Sequence, residues 1–189
     1  MQLSTLMPLL SMDPTGTSQF AVNRTVYIIR HGEKTWEFGC LNKTGQERAD
    51  ALVNIFNGRS SPLHATFGVP QSLFANHYDD PVDCERCHET LTPISVALSL
   101  PIIFDYGYPK WLGGNSRAAK AILAKSAVAF PVLVAWEHRN IRNLTADLGV
   151  EESIIPDWSW LDFDTVYMLN FSPTGAVIDF QIAAENFVE

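Results

Sequence analysis

Cysteine is scarce in this chain, and so are positive charges and long apolar runs. The 189 residues include three cysteines, Cys40, Cys84 and Cys87, and an odd, low count does not read as a disulfide framework. No apolar stretch approaches the roughly 20 residues of a membrane-spanning helix, so no membrane partner is expected. Thirteen Lys and Arg stand against 21 Asp and Glu, a formal net charge of −8. That balance argues against nucleic acid or an anionic membrane surface as a partner. Internal repeats and low-complexity linkers are absent. The start, Met1 to Met12, is mildly apolar but lacks the positive charge that opens a secretory signal. The reading is therefore a cytoplasmic protein, with residues 1–22 a flexible N-terminal extension and residues 23–189 a single domain. The N-x-[ST] sequons at Asn23, Asn42 and Asn143 matter only in a secreted chain.

What is present alternates between two kinds of pattern. Thr25 to Ile29 (TVYII) and Pro131 to Trp136 (PVLVAW) are β-rich runs without polar alternation, as expected of strands buried on both faces. Ser72 to Ala75 and Ile102 to Phe104 are shorter strand candidates. Thr165 to Phe171 and Ala176 to Ile182, separated by Pro173 and Gly175, read as a hairpin. Between these lie helical patterns. Thr44 to Asn57 has a capping box in Thr44 and Glu47, with Ala49, Leu52, Val53 and Phe56 on one face. Glu85 to Leu98 is interrupted by Pro93, which predicts a kink or an end. Ser116 to Val128 is Ala-rich, and Ile141, Leu144 and Leu148 mark a helix that stops at Gly149. Strands alternating with helices predict an α/β fold with a mostly parallel central sheet. Ligands of such sheets sit beyond the carboxyl ends of the strands.

Two of the strongest strand runs end in a histidine: Arg30-His31-Gly32 follows the first, and Glu137-His138 follows the second. A lone histidine after a strand is ordinarily structural. Two at the carboxyl ends of interior strands point to a site, and Gly32 lets the backbone there turn sharply or be approached closely.

The string Arg30-His31-Gly32-Glu33 resembles the signature of the histidine phosphatase (phosphoglycerate-mutase-like) superfamily. The resemblance continues in order through Trp36, through Leu41-Asn42-Lys43-Thr44-Gly45-Gln46-Glu47-Arg48-Ala49, through Arg86-Cys87-His88-Glu89-Thr90-Leu91, and to His138. It implies a three-layer α/β/α sandwich and a phosphomonoesterase working through a phosphohistidine on His31. Arg30 and Arg86 would grip the phosphoryl oxygens with forked, permanently charged donors, and His138 would donate another bond. A neutral His31 imidazole would be the nucleophile. A small-molecule phosphate ester is the expected partner, and no cofactor or metal is expected.

Two positions depart from the pattern. The general acid that protonates a leaving alkoxide is Asp105 or Glu137, with nothing to separate them. Glu37 stands where related chains often place an Asn, and a carboxylate aimed inward would repel phosphate. The alternative reading is a repurposed pocket serving non-phosphatase chemistry or binding an apolar metabolite. A third, weaker reading is a zinc or redox module built on the Cys84-x-x-Cys87 spacing, although the two cysteines are better read as small residues around the start of a helix. Trp111, Trp158 and Trp160 read as core or pocket wall.

Overall fold

The structure, a computed structural model, describes residues 24–36, 39–78, 84–109 and 113–188. The expectations for residues 1–22, Glu37 and Trp111 lie outside these residues. The strands are β1 (Arg24–Arg30), β2 (Ser72–Ala75), β3 (Ile102–Ile103), β4 (Val132–Trp136), β5 (Thr165–Phe171) and β6 (Val177–Ala184). The helices are α1 (Lys43–Ile55), α2 (Arg86–Leu98), α3 (Gly114–Ser126) and α4 (His138–Asp147). A short 3-10 turn at Glu152–Ile154, which no sequence pattern marked, follows α4.

The strands form one sheet in the order β3-β2-β4-β1-β5-β6. The first four are mutually parallel, and β5 and β6 join as an antiparallel hairpin on the β1 side. The two long strand runs lack alternation because both faces of the sheet are covered. Val26, Ile28, Val132, Val134 and Trp136 pack on one side with Ala118, Ile122, Ile141 and Leu144 of α3 and α4. Tyr27, Ile29, Leu133 and Ala135 pack on the other with Leu52 and Ile55 of α1 and Cys87, Leu91 and Ile94 of α2. The expected three-layer α/β/α sandwich with a mostly parallel sheet is the observed architecture. Trimming a fully buried core leucine such as Leu52 or Leu91 to alanine would cost about 2–5 kcal/mol.

Three local expectations are corrected. The N-cap of α1 is Asn42, whose side chain accepts from Gly45 N at 2.9 Å; Thr44 lies inside the helix, so the expected capping box is two residues out of place. Pro93 neither ends nor breaks α2, which runs through it to Leu98. Cys84 and Cys87 do not act as a pair: Cys84 lies ahead of α2 and is disulfide-bonded to Cys40, while Cys87 is a free, buried thiol. The Cys87 Sγ lies 3.2 Å from the Tyr78 hydroxyl, and burial pushes the thiol up to about 12. It is inert packing, and the zinc or redox reading of Cys84 with Cys87 falls.

Candidate active site

In the parallel β1–β4 pair, Arg30 is in register with Trp136. The residues that follow each strand, His31 on one and Glu137-His138 on the other, therefore emerge side by side. Neighbouring β2 leads toward α2, whose first residue is Arg86. All four core residues expected from the sequence line one cavity of about 660 Å³, within the range of small-molecule sites.

His31 is 1% exposed. Its Nδ1 lies 2.7 Å from the Gly32 carbonyl oxygen, and Arg86 Nε donates to its Nε2 at 3.2 Å. The two contacts settle the tautomer: Nδ1 carries the proton, and Nε2 presents a lone pair. Burial is the main force holding the imidazole down to a pKa of about 3, and the positive charges of Arg86 and Arg30 add to it. His31 is thus neutral at physiological pH.

The turn after His31 needs its glycines. A Cβ on Gly32 would come within 2.8 Å of the Gly45 carbonyl oxygen, and one on Gly45 would meet the Glu33 oxygen at 2.1 Å. Only backbone against backbone fits at this contact between the turn and α1. Gly32 N donates to Thr90 Oγ1 at 2.9 Å, and that hydroxyl donates to the Arg86 carbonyl at 2.8 Å, so α2 and the histidine turn are tied together beside His31.

The two pocket arginines are buried without carboxylate ion pairs among the described residues. Arg30 Nη1 donates to the carbonyls of Trp160 and Asp162 at 2.7 and 3.0 Å, and its guanidinium carbon lies 3.6 Å from the Phe163 ring centroid. Its buried Nε has no hydrogen-bond partner. Burial lowers its pKa to about 10, which leaves it fully charged at neutral pH. Arg86 stacks over Tyr78 at 3.9 Å. The unsatisfied donor thus belongs to one of the two buried guanidiniums that line the cavity, and a buried donor is ordinarily paired.

His138 opens α4. Its ring centroid is 6.5 Å from that of His31, and its Nδ1 is 2.9 Å from Glu137 Oε1. Glu137 caps the helix: its Oε2 accepts from Arg139 N at 3.1 Å and from Asn140 Nδ2 at 2.9 Å. Burial opposes the charge on Glu137, but the hydrogen bonds from His138 and Asn140 outweigh it and hold the carboxyl down at about 2. A further chain steadies this group. Trp136 Nε1 donates to Asn115 Oδ1, and Asn115 donates to Asn140 Oδ1. Asp105, by contrast, sits in an exposed bend after β3 and does not line the cavity.

No protein-family model matches the chain, and no curated protein matches it by sequence. Solved structures do match. The protein histidine phosphatase SixA complexed with tungstate aligns at 16% identity and a TM-score of 0.59, over 86% of this chain and 97% of that one. A putative phosphohistidine phosphatase SixA from Nakamurella multipartitia aligns at 17% and 0.56, over 86% and 96%. A putative alpha-ribazole-5'-P phosphatase from Escherichia coli aligns at 12% and 0.55, over 87% and 98%.

The fold is that of the histidine phosphatases.

Within this histidine-phosphatase fold the sequence pattern overlooked several neighbours of the site. Cys40–Cys84 joins the segment after His31 to the segment before Arg86, across a separation of 44 residues; Arg86 N donates to the Cys84 carbonyl at 2.8 Å. Glu33 does not face a phosphate as a lone carboxylate: both of its oxygens accept from Arg48, the shortest contact being 2.8 Å. The stretch 158–163 forms a cavity wall carrying Trp160, Leu161 and Phe163. Of the tryptophans, Trp158 packs on Tyr167 with ring centroids 4.8 Å apart, whereas Trp160 belongs to the wall. The letters Trp-x-Trp-Leu-x-Phe were visible in the chain, but nothing in them said which ring would turn outward.

Proposed function

We propose that the protein is a phosphomonoesterase of the histidine-phosphatase type, transferring the phosphoryl group of a small-molecule ester to His31 and then to water. The observation that carries this reading is the neutral, buried His31, whose Nε2 accepts from Arg86 Nε in a cavity that Arg30 and His138 also line. In the first step Nε2 attacks phosphorus and the P–O bond to the leaving group breaks. In the second, water attacks the phosphohistidine, the N–P electron pair returns to Nε2, and phosphate departs with the oxygen of that water. Two guanidiniums and an imidazole aimed at the non-bridging oxygens stabilise the transferring group through both steps. The SixA structure holds tungstate, an oxyanion of similar shape and charge to phosphate, which supports reading the fold as one that takes an anion.

Glu137 acts through His138 in this scheme. It is ionised and fully engaged, so it orients the imidazole rather than donating a proton. Of the two carboxylates offered by the sequence, it is the one at the site, and its role is that of a positioning residue.

No described helix is long and apolar enough to cross a membrane. A cytoplasmic location, expected from the lack of a positively charged secretory signal, sits poorly with Cys40–Cys84, because cytosolic thiol pools keep such bonds reduced. An oxidising compartment suits the cross-link better.

The functional reading is tested by incubating the protein with nitrophenyl phosphate and quenching early. Wild type should release nitrophenol and accumulate an acid-labile phosphoprotein adduct. His31→Ala should lose both by a factor of roughly 10⁴ or more, as for other covalent nucleophiles. Turnover that survives His31→Ala sinks the mechanism.

A further inference from the structure

Large apolar side chains held in water need a reason, and three surround the mouth of this cavity. Trp36 is 85% exposed, Trp160 62% and Leu161 68%, and all three line the cavity together with half-buried Phe163. The wall that carries Trp160 and Leu161 is firmly bonded. The Trp160 and Asp162 carbonyls accept from Arg30. Trp158 Nε1 donates to the Asp162 carbonyl at 2.9 Å. The Asp162 carboxylate accepts from Asp164 N, Thr165 N and Thr165 Oγ1. The same backbone that orients the phosphate-gripping arginine thus presents an indole and a leucine to solvent at a fixed distance from it. Exposed apolar surface built this way marks a binding face.

The second observation concerns protons. Among the described residues two carboxylates line the cavity, Glu33 and Glu137. Both are occupied, Glu33 by Arg48 and Glu137 by His138, Arg139 and Asn140. Both carboxylates are thus committed to donors of the fold rather than left free for a leaving alkoxide. A leaving group that departs as a weak base needs none.

Taking the two together, and resting on the phosphatase reading above, we propose that the substrate is an aryl phosphate monoester whose flat ring lies between Trp36 and the Trp160–Leu161 wall. The phenolate oxygen leaves with the P–O electron pair as the N–P bond to His31 forms, and it takes its proton from solvent. Hydrolysis of the phosphohistidine by water completes the balance: aryl phosphate and water give phenol and phosphate.

The test is a rate comparison of the whole protein on phenyl, nitrophenyl and naphthyl phosphates against glycerol phosphate, phosphoserine and a phosphohistidine peptide. Aryl esters should be preferred in kcat/KM, with naphthyl above phenyl. Trp160→Ala should raise the KM for naphthyl phosphate roughly tenfold more than that for glycerol phosphate, the worth of one ring contact, and Trp160→Phe should recover most of the loss. The Trp160 backbone carbonyl bound to Arg30 is retained in both variants. His31-dependent turnover that favours glycerol phosphate, phosphoserine or the phosphohistidine peptide overturns the aryl assignment and leaves the phosphatase reading standing. An equal loss on aryl and alkyl esters in Trp160→Ala overturns it too. Wild-type protein that turns over nothing overturns both.

Discussion

Arg30 and Arg86 differ from Arg48 in their company, although all three guanidiniums are buried. Arg48 is saturated. It meets both oxygens of Glu33, Glu185 Oε2 at 2.8 Å and Asp164 Oδ1 at 3.3 Å, and its flat face covers the Phe187 ring at 4.6 Å. Its charge is spent on tying the His31 turn and α1 to the C-terminal segment after β6. The cavity arginines meet carbonyls, rings and an imidazole, with no carboxylate at ion-pair distance among the described residues. A buried cation without an anionic partner is costly unless something else neutralises it. One arginine is therefore architecture, while the proposed phosphatase gives the other two a ligand's charge to meet.

That contrast can be broken directly. Arg48→Ala should destabilise the fold by about 3–5 kcal/mol, because three carboxylates lose their buried partner; the melting temperature should drop while any residual activity of the folded fraction keeps its KM. Arg86→Ala should do the reverse, lowering kcat by about 10²–10³ with little change in melting temperature, and phosphate should no longer protect it against heat. If both variants lose stability alike, the division between structural and ligand-binding arginines is false.

A smaller effect concerns the cross-link between the two limbs of the pocket. Cys40→Ser should cost about 2–4 kcal/mol in a denaturant titration, and a reductant should do the same to wild type and nothing further to the variant.

The smallest effect sharpens the picture of His31. Its folded pKa of about 3 lies below the unfolded value of about 6.5. Between these values the unfolded chain binds a proton that the native chain refuses. The group's contribution is intact above pH 6.5 and is lost as pH falls toward 3. Going from pH 7 to pH 5 should cost wild type about 2 kcal/mol more than His31→Ala, measured as unfolding free energies of the two proteins. Equal losses would mean that the imidazole is not held neutral by the fold.

The sheet and the heart of the site were legible because each leaves a local trace. TVYII and PVLVAW lack alternation since both faces are covered, and the histidines follow those strands within two residues. The corrections share a different origin. Cys40 and Cys84 meet only after α1 and β2 have folded back, so an odd count of cysteines in the chain said nothing about the pair. The ligands of Arg48 come from positions 33, 164 and 185, and no spacing links them. Asn42 and Thr44 are both good caps, and the choice was made by where the His31 turn packs against Gly45. Glu137 and Asp105 looked alike as letters; a capping geometry and a hydrogen-bonded histidine drew one into the cavity, while a bend left the other in water. Pro93 was read by its usual behaviour, and α2 carried it all the same.

The Cys40–Cys84 bond also closes the intervening chain into a covalent ring that contains α1 and β2. Much of that ring between residues 58 and 66 is exposed. A protease that cuts there opens the ring without parting the molecule: the nicked protein should migrate intact on a denaturing gel and fall into two pieces once a thiol is added.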